Sequence, residues 1–126
     1  MKPGPSISEA ESVVMEILWR GHPLATEDIV AALEGQQLWQ ESTIKTLLNR
    51  LLKKGAVSAR KEGRRYLYSP VLQREQWLSS ESKGLLDRLF DGRVAPFVAH
   101  FSRHRKLSKK DVADLKRLIE ELEDEN

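Results

Sequence analysis

The chain has 126 residues, 40% of them hydrophobic and 32% charged, with a formal net charge of +2. This suits one soluble globular domain, or a small domain with an appendage, and excludes disordered and fibrous classes. Cysteine is absent, which excludes a disulfide framework, a thiolate metal site and a redox thiol.

The first predicted helix lies in "PSISEAESVVMEILWRGHP". Ser8 with Glu11 three places on forms a capping box, and Ala10, Val13, Val14, Ile17 and Leu18 fall on one face. Gly21 and Pro23 end it. "ATEDIVAALEG" predicts a second helix, with Thr26 as N-cap, Glu27 and Asp28 at the positive end of the helix dipole, and Ile29, Val30 and Leu33 as the buried stripe. "QQLW" reads as an extended connector. In the third helix Ile44, Leu47, Leu48, Leu51 and Leu52 cluster on one side, while Ser42, Thr46, Asn49 and Lys53 occupy the other, flanked by Thr43, Lys45 and Arg50. That outer face holds no carboxylate beyond Glu41, whereas an ordinary surface helix mixes acids with bases. Lys53, Lys54 and Gly55 suit its end.

"AVSARKEGRRYLYS" then predicts a hairpin turning at Glu62-Gly63, with Val57 and Ala59 in period with Tyr66 and Tyr68, and a basic tip. After Pro70, "VLQREQWLSSESKGLLDRLFDG" predicts a helix with Gly84 inside it. "VAPFVAHFSRH" predicts a short helix with Pro96 in its first turn, and "LSKKDVADLKRLIEELEDEN" a last one opened by Ser108 and Asp111. Neither an internal repeat nor a low-complexity tract is present.

Charge is uneven along this order. Residues 1–35 carry a net of −4, residues 36–70 a net of +6, and residues 71–126 balance. A clustered basic surface is the first footprint of a nucleic-acid partner, although a run of charge is by itself more often a solvated face. The order of elements decides between them. Three helices followed by a hairpin with a basic tip make a winged helix-turn-helix, so the expected class is mostly α with a small β wing and a C-terminal helical lobe. The expected domains are residues 1–70, binding DNA, and residues 71–126, forming a dimer. The leucine face of the third helix docks inward and its polar face is free to enter a major groove. Ser42, Thr43, Lys45, Thr46 and Asn49 are the expected base readers, and Arg50 reads bases or holds phosphate. Arg60, Lys61, Arg64 and Arg65 are the expected backbone contacts of the wing.

Homodimerisation is expected from area. Three short helices hold Trp77, Leu85, Leu86, Leu89, Phe90, Phe97, Phe101, Leu115, Ile119 and Leu122, more than so small a lobe covers by itself. Because no apolar run reaches the length of a membrane span and "MKPGPSISEAE" lacks a signal peptide's apolar stretch, a cytoplasmic chain with no membrane insertion is expected.

The stretches "ISEAESVVMEILW", "STIKTLLNRLLKKG", "YLYSP" and "LSKKDVADLKRLIEELE" resemble the penicillinase-repressor family, which includes methicillin-resistance and copper-responsive repressors. The resemblance runs over essentially the whole chain. It implies a homodimer that represses transcription from an inverted repeat in double-stranded promoter DNA, of the TACA/TGTA kind. In the antibiotic-responsive branch it also implies release by cleavage, triggered by a membrane sensor. The place matching the family's cleaved Asn-Phe bond is His100-Phe101, where Phe is kept and His stands for Asn. The Cys pairs of the copper-responsive branch have no counterpart.

Other readings are weaker. His100 and His104 stand four apart, as metal ligands can, but no third ligand is near and Arg103, Arg105 and Lys106 oppose a cation, so neither metal nor cofactor is expected. The basic run from Arg103 to Lys110 reads as a solvated linker. No catalytic triad, paired carboxylates or phosphate loop points to an enzyme. Two further classes remain: a winged-helix module that binds protein or RNA instead of duplex DNA, which needs no acid-free third helix, and a repressor gated by a small molecule in the dimer cleft.

Overall fold

The computed structural model of the chain describes residues 4–104 and 107–125, so Arg105 and Lys106 of the basic run lie outside the described residues. Its helices are α1 (Glu9–Arg20), α2 (Thr26–Leu33), α3 (Glu41–Lys54), α4 (Arg74–Leu89), α5 (Val94–His104) and α6 (Lys109–Glu125). Strands β1 (Val57–Glu62) and β2 (Arg65–Pro70) form an antiparallel pair after α3. The expected class is therefore observed. The chain divides into two compact units, Met1–Glu81 and Ser82–Asn126, the division falling within α4.

Local chemistry explains the helix ends. At α1 the Glu11 N–H donates to Ser8 Oγ (3.1 Å), and the Ser8 N–H donates to Glu11 Oε1 (2.7 Å), the expected capping box. At α2 the expected cap moves by one residue. Ala25 is the N-cap, its N–H donating to Asp28 Oδ2 (2.9 Å), and Thr26 is already helical. The cause is tertiary: Leu24 exchanges two backbone hydrogen bonds with Tyr68 on β2 (3.0 and 2.8 Å), which keeps the chain extended up to Ala25. At the end of α3, Gly55 takes φ +76°, a left-handed conformation that glycine adopts without a Cβ penalty. Its N–H donates to Leu52 O, and the N–H of Ala56 donates to Leu51 O, which satisfies the last carbonyls.

The core of the first unit is built by Val14, Met15 and Leu18 of α1, Ile29 and Leu33 of α2, and Ile44, Leu48 and Leu51 of α3. Each leucine or isoleucine taken fully from water contributes about 1.5–3 kcal/mol. On α1, Ala10 and Val13 are only half-buried whereas Met15 is fully buried, because α1 packs against α2, α3 and β2 together and its covered arc is wider than one stripe. Trp19 packs on Trp77 with ring centroids 5.3 Å apart, and its indole N–H donates to Leu72 O (2.8 Å). Trp77, which the sequence groups with the dimer lobe, thus packs within the first unit. The N-terminal segment passes so close to Leu72 that a Cβ at Gly4 would collide with it.

The second unit differs in kind. Helix α4 runs unbroken through Gly84, Pro96 sits in the first turn of α5 where its missing N–H costs no helical bond, and Ser108 Oγ accepts from the Asp111 N–H ahead of α6 (3.0 Å). Phe90, Phe97 and Phe101 form a chain of ring contacts at 5.5 and 5.7 Å. Yet no described side chain of residues 82–125 is buried, and Leu89 and Leu122 are 58% and 60% exposed. Among the described residues no helix is long and apolar enough to cross a membrane.

One charge lies inside the first unit. Glu11 is 1% exposed, and Lys54, at the end of α3, places Nζ 2.5 Å from its Oε1. Burial pushes the Glu11 carboxyl up, but the hydrogen bonds from Lys54 and Ser8 outweigh it and hold it below its ordinary value of 4.5. A carboxylate with a depressed folded-state pKa contributes stability above the unfolded value and loses it as pH falls through the folded one. Lys54→Met is expected to cost about 2–3 kcal/mol, less than a fully enclosed pair because Lys54 keeps contact with water. Resistance of the wild type to urea should weaken as pH drops below 4.5, and Glu11→Gln should flatten that acid limb. Parallel pH profiles for the two would refute this role.

Candidate nucleic-acid interface

Burial of Ile44, Leu47, Leu48 and Leu51 fixes how α3 is rotated. At about 100° per residue, Ser42, Lys45, Thr46 and Asn49 then share the opposite side, while Thr43 and Arg50 lie along one edge. All six are exposed, as expected for groups meant to meet a ligand. Thr46 Oγ1 donates its proton to the backbone carbonyl of Ser42 (3.0 Å), which leaves its methyl and the oxygen's acceptor lone pairs to a groove. Lys45 pairs with Glu41 across one helical turn (3.5 Å).

The wing stands next to this helix. Cα pairing runs from Val57 with Pro70 to Glu62 with Arg65, so the two turn residues are Gly63 and Arg64. The expected turn at Glu62-Gly63 shifts by one place, since glycine fills the first central position with φ +63°. The same register separates the basic residues. Arg60 and Arg65 belong to one face of the ribbon, Lys61 lies opposite Tyr66 on the other, and Arg64 is at the tip. Arg60 meets Glu62 (3.7 Å) and Arg65 meets Glu27 of α2 (3.1 Å). Among the described residues no carboxylate pairs with Lys61 or Arg64.

A cleft of about 300 Å³ opens between α2, α3 and the wing. It brings Lys45 and Asn49 of α3 together with Arg64 and Arg65, whereas Ser42, Thr43, Thr46, Arg50, Arg60 and Lys61 lie outside its lining. Glu27, Glu41 and Tyr66 also line it. From periodicity Glu27 has a helix-dipole role and Tyr66 a place in the strand period; their convergence depends on the fold of the wing over α2. Among the described residues no group of three His, Asp or Glu side chains could hold a metal ion. His100 and His104 stack with ring centroids 4.6 Å apart.

Residues 7–121 match the family model for the penicillinase repressor. The penicillinase repressor of Bacillus licheniformis is 33% identical over 121 residues, which is 96% of this chain and 94% of that protein. The methicillin resistance regulatory protein MecI of Staphylococcus aureus (strain N315) is 26% identical over 113 residues, 90% and 92% of the two chains. Among solved structures, the DNA-binding domain of the repressor BlaI aligns with a TM-score of 0.53 at 38% identity, over 60% of this chain and 93% of that one. The monomeric form of B. licheniformis BlaI in complex with the blaP half-operator gives the same values.

The wing turn is testable by itself. Gly63 has open space around it, so Gly63→Ala is penalised only by its positive φ, and about 1 kcal/mol of destabilisation is expected in thermal melting. An unchanged melting temperature would contradict the turn geometry.

Proposed function

The chain belongs to the penicillinase-repressor family, and from that premise we propose that it is a DNA-binding transcriptional repressor of the cytoplasm, acting as a homodimer on an inverted-repeat operator. The observation that carries this is the acid-poor outer face of α3 beside a cationic wing, with Lys45, Asn49, Arg64 and Arg65 gathered on one cleft. The operator complex of a relative 38% identical over this region supports duplex DNA as the partner.

In this reading α3 enters the major groove. Ser42, Thr43, Lys45, Thr46 and Asn49 meet base edges, Asn49 suiting adenine and the Thr46 methyl suiting thymine. Arg50 serves bases or phosphate, and Arg60, Lys61, Arg64 and Arg65 hold the backbone. The exposed apolar residues of the second unit support dimerisation. Phe97, Phe101, Leu115 and Leu118 line an apolar cleft of about 360 Å³, and Leu85, Leu86, Leu89, Phe90, Ile119 and Leu122 extend that apolar content. A second copy covers such a face with the same face of its own. Dimerisation doubles the contacts to DNA, so whatever disrupts the second unit releases the operator. Cleavage at His100-Phe101 by a protease answering a membrane sensor is the route that the family offers. The bond lies within α5, whose local unwinding would precede cleavage.

Selection from a random duplex pool followed by footprinting tests the proposal and gives the site and its symmetry. On the selected site, Asn49→Ala is expected to cost roughly 1–3 kcal/mol and to leave binding to random DNA nearly unchanged. Arg64→Gln is expected to weaken both and to reduce the salt slope by about one unit. Equal losses for Asn49→Ala on both duplexes would remove it from the base readers. By mass measurement at micromolar concentration the chain is expected to be a dimer, and a chain truncated at His100 is expected to bind the selected site orders of magnitude more weakly. A monomeric mass or undiminished binding by residues 1–100 would overturn the dimer switch.

A further inference from the structure

We propose that Glu27 is an internal competitor for phosphate, which holds Arg65 in the free protein and thereby weakens binding to any duplex, whatever its sequence. The inference rests on the reading of the cleft as a DNA-binding surface.

Two carboxylates open α2, and they are used differently. Asp28 turns back to accept from the Ala25 N–H and so completes the helix start. Glu27 instead reaches across the cleft to Nη1 of Arg65, on a strand 38 residues further along the chain. The fold does not require this contact. Both side chains are more than half exposed, and a pair so open to water adds little to stability. The wing is held to the body by other means: the backbone bridge between Leu24 and Tyr68, and the burial of Val57, Leu67 and Tyr68.

What Glu27 does change is the charge presented to a polyanion. The cleft is lined by Lys45, Arg64 and Arg65; Glu41 meets the first, Glu27 meets the last, and Arg64 is without a carboxylate partner among the described residues. A guanidinium offers the same fork of N–H donors to carboxylate and to phosphate. A DNA phosphate reaching Arg65 must therefore displace Glu27 or share the guanidinium with it, with two negative groups brought together. This penalty falls on the backbone contact and is independent of base sequence. The weakness of the exposed pair makes the exchange easy in both directions.

The experiment uses the full-length chain and two labelled duplexes, one of random sequence and one recovered by selection, titrated between about 50 and 200 mM salt. Glu27→Gln is expected to tighten binding to both duplexes by a similar factor, roughly fivefold near 0.1 M salt, with the salt slope steeper by about one unit. In an Arg65→Gln background the same change is expected to lose most of that effect. Unchanged or weaker binding by Glu27→Gln would overturn the proposal, and weaker binding would instead assign Glu27 a part in placing the wing. Tightening that persists undiminished without Arg65 would also overturn it, because removal of a negative charge would then suffice. If the wild-type chain binds neither duplex, the DNA-binding reading itself fails, a result distinct from a failure of Glu27→Gln alone.

Discussion

Burial of the leucine side of α3 leaves its other side no place except solvent. Ile44, Leu48 and Leu51 are enclosed by α1 and α2, and at helical spacing this aims Ser42, Lys45, Thr46 and Asn49 outward together. The wing depends on the same helix. Gly55 reverses the chain directly after α3, β1 starts two residues later, and β2 returns to bond Leu24 ahead of α2. A single amphipathic helix therefore sets the direction of the polar face and the position of the ribbon beside it.

The ion pair of Glu11 and Lys54 adds a constraint that packing alone does not supply. It joins the first turn of α1 to the last residue of α3, 43 residues apart. Leucines tolerate small rotations of a helix, since burial has no direction. A buried carboxylate does not, because losing Lys54 leaves a charge in a region of low dielectric. The hydrogen bond from Lys54, one of those that lower the Glu11 pKa, is thus also a contact that disfavours rotation of α3 about its own axis.

What could be read from the sequence was what is local. The capping box at Ser8 and Glu11, the two-sided α3, the glycine after it, and the helix through Gly84 each depend on neighbours within a few residues. The errors came where distant residues meet. Thr26 lost the cap because Tyr68 holds Leu24. Met15 was missed because α1 is covered on more than one side. Glu11 read as a cap and is also a buried ion, and Glu27 read as a dipole complement and is also a partner of Arg65. The wing turn slipped by one residue because a dipeptide signal does not say which turn position glycine takes. For the site, the exposed face of α3 was legible from periodicity, but the meeting of Lys45 and Asn49 with Arg64 and Arg65 required the hairpin's register and its docking.

Trp19, Trp39 and Trp77 are the three tryptophans of the chain, and all of them belong to the first unit, as do both tyrosines. The second unit has phenylalanine alone among aromatic side chains of this kind. Intrinsic fluorescence excited at the indole band therefore originates in the first unit alone, while far-ultraviolet dichroism sees every helix. The stacked Trp19 and Trp77 rings, 5.3 Å apart, further tie the near-ultraviolet signal to the seating of α4's first turn on α1. Two optical probes thus divide one small molecule between them. Any separation of their unfolding curves measures how far the two units melt independently.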